Sequence, residues 1–241
     1  MIIASATDVG KKRKENQDAF RVAALEDSGW LAVVCDGMGG ANGGRLASCT
    51  AADVFVQSVQ RKFAVCRNPC DLLTYAVYKA NEAVFKLSET DENLEGMGTT
   101  LAAVLLTDGK AYAVNVGDSR IYSDDGMEMV QITRDHTLVQ LLVDMGEMNI
   151  DEARTSPDRH KITRAVGVNA DVRPDVFEIS VSGGFILICS DGLYGEVEKD
   201  EMHGMLTGDS YREIKKNLLS LVSLANRRGG NDNITAIVIK Q

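Results

Sequence analysis

Apolar and polar positions change period several times along this chain. The run Leu31-Ala32-Val33-Val34-Cys35 stops abruptly on Asp36-Gly37-Met38-Gly39-Gly40. Its length and its Val, Leu and Ala content predict a strand covered on both faces, delivering one acid to the edge of a core. Gly37 to Gly40 then permit backbone geometries that a Cβ would block. Phe185 to Cys189 repeats the design and runs into Ser190-Asp191-Gly192. Further strands are predicted at Ile2 to Thr7, Ala19 to Ala24, Thr100 to Leu106, Ala111 to Val116 and Ile234 to Ile239. Turns are expected through Glu26-Asp27-Ser28-Gly29, Thr107-Asp108-Gly109-Lys110 and Asp124-Asp125-Gly126, the second being a hairpin signal.

Helical spacing replaces alternation in three places. Ala47, Ala51, Val54, Phe55, Val59 and Phe63 make one stripe, and Leu73, Ala76, Val77, Ala80, Val84 and Leu87 make a cleaner one. Ile214, Leu218, Leu221, Val222 and Ala225 make the third. All three are core-facing stripes and need no functional explanation. From Leu138 to Gly167 the pattern is irregular, with Gly146 and Pro157 between short amphipathic pieces, and a mobile flap is expected there. Strands and helices in blocks predict an α+β layered domain with mainly antiparallel sheets. No linker-like stretch interrupts residues 1–241, so one domain is expected.

Composition narrows the function classes. A net charge of −9 and a pI near 4.9 exclude broad nucleic-acid binding, which needs a basic face to displace counterions. No apolar run approaches the roughly 20 residues that span a bilayer, and Met1-Ile-Ile-Ala-Ser lacks a basic, apolar leader, so a cytoplasmic protein without a membrane partner is expected. The five cysteines are an odd number, and Cys35 and Cys189 lie inside apolar runs, as small buried hydrophobes of a reducing compartment do. Cys66 and Cys70 find no second pair at zinc-ligand spacing.

The chemistry lies in where the acids fall. Asp36 and Asp191 end strands and Asp232 precedes one; if the last strand runs antiparallel to Phe185–Cys189, Asp191 and Asp232 share a sheet edge. Asp18 and Asp118 sit at turns beside strands. Carboxylates gathered at one edge repel unless cations hold them, and oxygen-only ligands favour Mg²⁺ or Mn²⁺ over Zn²⁺. Two such ions about 4 Å apart can bridge a water and clamp an in-line attack on phosphorus. Other phosphate chemistries fail on inspection. Gly39 to Leu46 offers Arg45 and Leu46 where a phosphate-binding loop needs Lys and Ser or Thr, and no cysteine is followed six residues later by arginine.

The order and spacing of nine stretches give the chain a resemblance to the metal-dependent serine/threonine protein phosphatases, the protein phosphatase 2C family, in their compact bacterial form. They are Thr7-Asp-Val-Gly10, Arg13-Lys-Glu-Asn-Gln-Asp18, Asp36-Gly-Met-Gly-Gly40, Met97-Gly-Thr-Thr100, Val116-Gly-Asp-Ser-Arg120, Thr133-Arg-Asp-His136, Thr163-Arg-Ala-Val-Gly167, Ser190-Asp-Gly-Leu193 and Gly230-Asn-Asp-Asn-Ile-Thr235. The resemblance implies an α-β-β-α sandwich that hydrolyses phosphoserine and phosphothreonine with a metal-bridging water. It makes Asp36 the bridging ligand of two Mn²⁺ or Mg²⁺ ions, with the Gly37 carbonyl on one of them and Asp191 and Asp232 on the other. Asp18 would act close by through water, Asp118 with Asp191 would hold a third ion, and Arg13 would grip the substrate phosphate. Two positions depart from relatives: Gln17 stands where some carry Glu, and Met38 where some carry a proton-donating His. A catalytically silent phosphoprotein-binding module and a two-metal phosphodiesterase are the alternative readings. The expected partners are phosphorylated proteins and a serine/threonine kinase, and the expected state is a monomer. His136 reads as a hydrogen-bonded structural residue, and His160 and His203 as surface.

Overall fold

Alternation along the central strands builds three apolar layers. The computed structural model describes residues 1–26, 29–179 and 183–240, apart from the side chains of residues 40–42. One sheet holds β1 (Ile2–Asp8), β7 (Arg120–Asp124), β8 (Met129–Gln131), β10 (Phe185–Cys189) and β11 (Ile234–Lys240), in the order β1-β11-β10-β7-β8. The other runs β2 (Asp18–Ala24), β3 (Trp30–Met38), β5 (Leu101–Thr107), β6 (Lys110–Val116), β9 (Asp175–Ile179), with β4 (Gly98–Thr99) on the end of β3. The strand pairs described are antiparallel.

Ala32, Val34, Ala102 and Val104 of one sheet meet Ile186, Ile188, Ile237 and Ile239 of the other between the sheets. The alternate residues Leu31, Val33, Cys35, Leu101 and Leu105 point outward, where α1 (Gly40–Lys62) and α2 (Pro69–Ser88) cover them. On the far side Leu187, Cys189, Ala236 and Val238 pack under α5 (Asp191–Tyr194), α6 (Lys199–Met205) and α7 (Tyr211–Arg228). The strands read from unbroken apolar runs are therefore buried on both faces. A one-residue slip would exchange the two cores, so register is strongly fixed.

The α7 stripe is buried at every predicted position. In α1 the stripe is rotated slightly: Ala52 is buried and Val54 only half-buried. The Thr107–Lys110 turn has positive φ at Asp108 (51°) and Gly109 (72°), the pattern of a two-residue hairpin loop. The turn expected through Asp27 and Ser28 lies outside the described residues. Between Leu138 and Gly167 the chain is more regular than its sequence suggests. α3 (Leu138–Asp144) is capped by Thr137, and α4 (Ile150–Thr155) by an Asn149–Glu152 capping box. The described residues contain no helix long and apolar enough to cross a membrane.

His136 ties three segments together. Its Nδ1 accepts from Gly117 N at 3.1 Å, and its Nε2 lies 3.0 Å from Asp175 Oδ2 at the start of β9. Burial and the neighbouring Arg164 guanidinium hold its pKa below the ordinary value, with Asp175 opposing. Because the folded value is the lower one, its contribution to stability is complete above the unfolded value near 6.5 and is lost as pH falls through it. Denaturant titrations should show wild type losing more stability than His136→Gln between about pH 7.5 and 5.5. Parallel curves would remove this role.

Candidate active site

Both central apolar runs end at the same end of the sandwich. Asp18 is the register partner of Asp36 across β2 and β3. The Asp36 backbone is locked on both sides: its N–H donates to Thr100 Oγ1 at 2.9 Å, and its carbonyl accepts from Thr99 Oγ1 at 2.8 Å. Thr100 Oγ1 in turn meets Ser119 Oγ at 2.7 Å, next to Asp118. Gly37 has no room for a side chain, since a Cβ would lie 2.1 Å from the Gly44 carbonyl oxygen of α1.

The second sheet supplies Asp191 and Asp232. β10 and β11 pair antiparallel, as the shared-edge argument requires, so the residue after β10 and the loop before β11 meet. Ser190 joins the two sheets: its Oγ donates to Asp18 Oδ2 at 2.8 Å and accepts from Thr235 N at 3.0 Å. Asn233 is a second fastening, donating through Nδ2 to the Val9 and Glu15 carbonyls and accepting from Gln17 N. Tyr194, on the helix that begins at Asp191, donates to the Asp118 carbonyl at 3.0 Å.

A cavity of about 880 Å³ opens on this end, and Arg13, Asp36, Gly37, Asp118, Asp191 and Asp232 all line it. Asp18 does not; it lies behind Asp36, against a separate cavity of about 440 Å³. Arg13 is no free cation, since its Nη2 donates to Asp232 Oδ2 at 2.6 Å. His160 is exposed, as expected, and it also lines the cavity, with Nδ1 3.4 Å from Asp191 Oδ2, a carboxylate that raises its pKa. His160 lies in a stretch without period, so only the fold brings it to the acids. His203 is likewise engaged rather than merely surface, pairing through Nδ1 with the buried Asp124.

The electrostatics are those of acids crowded without enough counter-charge. Burial, followed by neighbouring carboxylates, pushes Asp36 well up and raises Asp18 and Asp118 to about 7. Asp18 Oδ1 and Asp191 Oδ1 are buried with no hydrogen-bond partner in the described structure. Such oxygens are costly unless a cation takes them.

A family model described as protein phosphatase 2C matches residues 10–223. The chain belongs to the protein phosphatase 2C family. Protein phosphatase PhpP of Streptococcus pneumoniae is 33% identical over 241 residues, covering 99% of this chain and 97% of that protein. The crystal structure of the Mycobacterium tuberculosis serine/threonine phosphatase PstP/Ppp superposes with a TM-score of 0.87 at 34% identity, covering 98% of this chain and 96% of that one. The PstP catalytic domain in complex with two manganese ions superposes at 0.84, with 33% identity and cover of 98% and 96%. The four-layer fold is thus the family's fold.

The donor set fits hard divalent cations. It offers carboxylates and a backbone carbonyl, with unpartnered oxygens and mutual repulsion that positive charge would relieve. Mn²⁺ should therefore raise the melting temperature of wild type, and Asp36→Asn and Asp191→Asn should lose most of that increment. Chelated Asp36→Asn should be at least as stable as chelated wild type, because a desolvated, repelled carboxylate has been removed. A full Mn²⁺ increment in both variants would break the assignment.

Proposed function

We propose that residues 1–241 form one catalytic domain of a metal-dependent protein serine/threonine phosphatase. The observation that carries this reading is the convergence of Asp36, Asp118, Asp191 and Asp232 with Arg13 on one cavity. Mn²⁺ or Mg²⁺ is the cofactor. Asp36 would be shared by two ions, with the Gly37 carbonyl on one and Asp191 and Asp232 on the other; Asp118 with Asp191 would hold a third. The ions, when bound, would neutralise phosphate oxygens and make a water acidic enough to attack in line.

The chain's own residues supply the rest. Thr99 and Thr100 fix the Asp36 backbone, and Ser190 orients Asp18, which acts on the site from behind. Arg13 presents a planar guanidinium beside Asp232, suited to two phosphate oxygens at once. Met38 lines the cavity but has no proton for a leaving alkoxide. No cysteine is called upon: burial raises Cys35 and Cys189, the latter to about 12, so neither thiol is a ready nucleophile. Their burial as free thiols suits a reducing, cytoplasmic setting, with phosphorylated proteins as substrates and a serine/threonine kinase as the opposing partner.

A phosphothreonine peptide, nitrophenyl phosphate and a cyclic nucleotide, each assayed with Mn²⁺ and with chelator, test the reading. The first two should turn over only with metal, and the third should not; cyclic nucleotide turnover alone would make the protein a phosphodiesterase. Asp36→Asn should lower kcat more than tenfold at saturating Mn²⁺, a barrier increase above about 1.4 kcal/mol.

Arg13 should behave differently from the aspartates. It meets charge present in the ground state as well as the transition state, so Arg13→Ala should raise KM by a larger factor than it lowers kcat. Lys at this position should restore part of the loss. Unchanged KM with reduced kcat would place Arg13 outside substrate binding.

A further inference from the structure

The cavity floor is acidic, but part of its rim is not. The turn Gly10 to Lys14 is fastened beside the Asp232 loop, because Lys11 N and Lys12 N both donate to the Gly230 carbonyl, at 2.8 and 3.1 Å. Lys11, Lys12, Arg13 and Lys14 follow one another in this turn, and all four are exposed. Their surroundings differ. Arg13 is committed to Asp232. Lys11 and Lys12 stand off the cavity, whereas Lys14 lines it.

The other charged groups of the rim already have partners. Glu15 pairs with Arg45 at 3.1 Å, Arg164 with Asp175 at 3.0 Å, and His160 with Asp191 at 3.4 Å. Among the described residues Lys14 makes no ion pair or hydrogen bond, which leaves its ammonium open to a ligand entering the cavity. We propose that Lys14 is a specificity residue that receives the carboxylate of an Asp or Glu flanking the phosphorylated residue, so that the preferred substrates are phosphosites in acidic segments.

This assignment rests on the phosphatase reading above. A phosphoester without charged neighbours needs no such group, since the floor and Arg13 serve the phosphate itself. Nor would the protein's overall field produce the preference. A net charge of −9 repels acidic peptides, so any preference for them has to come from a local cation. The acid must sit over Lys14 at the rim, because Asp36, Asp118, Asp191 and Asp232 would repel it over the floor. An exposed pair of this kind supplies about threefold to fivefold at most.

Phosphothreonine peptides that differ only in one flanking residue, Asp, Gln or Lys, at each of the two positions before and after the phosphoresidue, test this with the full chain and Mn²⁺. At one of those positions wild type should favour Asp over Lys in kcat/KM by about threefold to fivefold, with less discrimination at high salt. Lys14→Met should bring the ratio to one or below and Lys14→Glu should invert it, while Lys12→Glu keeps it. Equal turnover of all flanks by wild type would overturn the Lys14 assignment and leave the phosphatase reading standing. A ratio lowered as much by Lys12→Glu as by Lys14→Glu would overturn it too, making the turn a diffuse attractor. Failure of wild type on every peptide and on nitrophenyl phosphate would instead sink the phosphatase reading.

Discussion

The carboxylates at one end of this sandwich repel one another, and the rest of the molecule is what keeps them there. An ionised group taken out of water costs several kcal/mol, whereas a neutral hydrogen bond returns about 1 kcal/mol. Local bonds such as Ser190 Oγ to Asp18 Oδ2 cannot offset that cost by themselves. The deficit is met by layers of buried aliphatic side chains on either side of each sheet, each large one contributing about 2 kcal/mol. Raised pKa values at Asp18, Asp36 and Asp118 are the visible remainder of the conflict.

Strand register converts that stability into position. Pairing of β2 with β3 sets Asp18 opposite Asp36, and pairing of β10 with β11 brings the ends that carry Asp191 and Asp232 together. The inter-sheet core of Val34, Ile188 and Ile237 then fixes how far apart the two pairs lie. Ser190, Thr235 and Asn233 add direction rather than much energy. Because they are buried and bonded across sheets, a shift of either sheet would strand several polar groups at once. Floor geometry therefore depends on the whole sandwich, not on the loops that bear the acids.

What could be read from the sequence follows from the same physics. Leu31 to Cys35 and Phe185 to Cys189 were legible because burial on both faces leaves an unbroken apolar run, and α7 because one buried face leaves a clean 3.6 period. The acids were legible because each follows or precedes such a run. Several short elements were not. β9 is five residues with only Ile179 fully buried, and α3 and α4 are stopped by caps before a period can accumulate. His160 is the instructive omission at the site. Nothing adjacent to it in sequence marks it, and only the path of the chain after α4 carries it to Asp191. The pairing of Arg13 with Asp232 is equally a product of the fold, joining residues 219 apart.

Floor and rim thus answer to different constraints. A substitution in the floor disturbs coupled, buried charges, whereas one at the rim changes an exposed side chain whose influence fades within about 8–10 Å at moderate salt. An acidic protein acting on anionic substrates needs this separation. Its net charge of −9 is spread over the surface and screened at a distance, so the unpaired Lys14 ammonium can dominate at the mouth. Two backbone bonds to the Gly230 carbonyl hold the turn beside the cavity, with Arg13 on Asp232 and Lys14 unpaired. Fixing the backbone while leaving Lys14 unpaired costs little stability, and it places a replaceable side chain at the entrance to a site that itself tolerates little change.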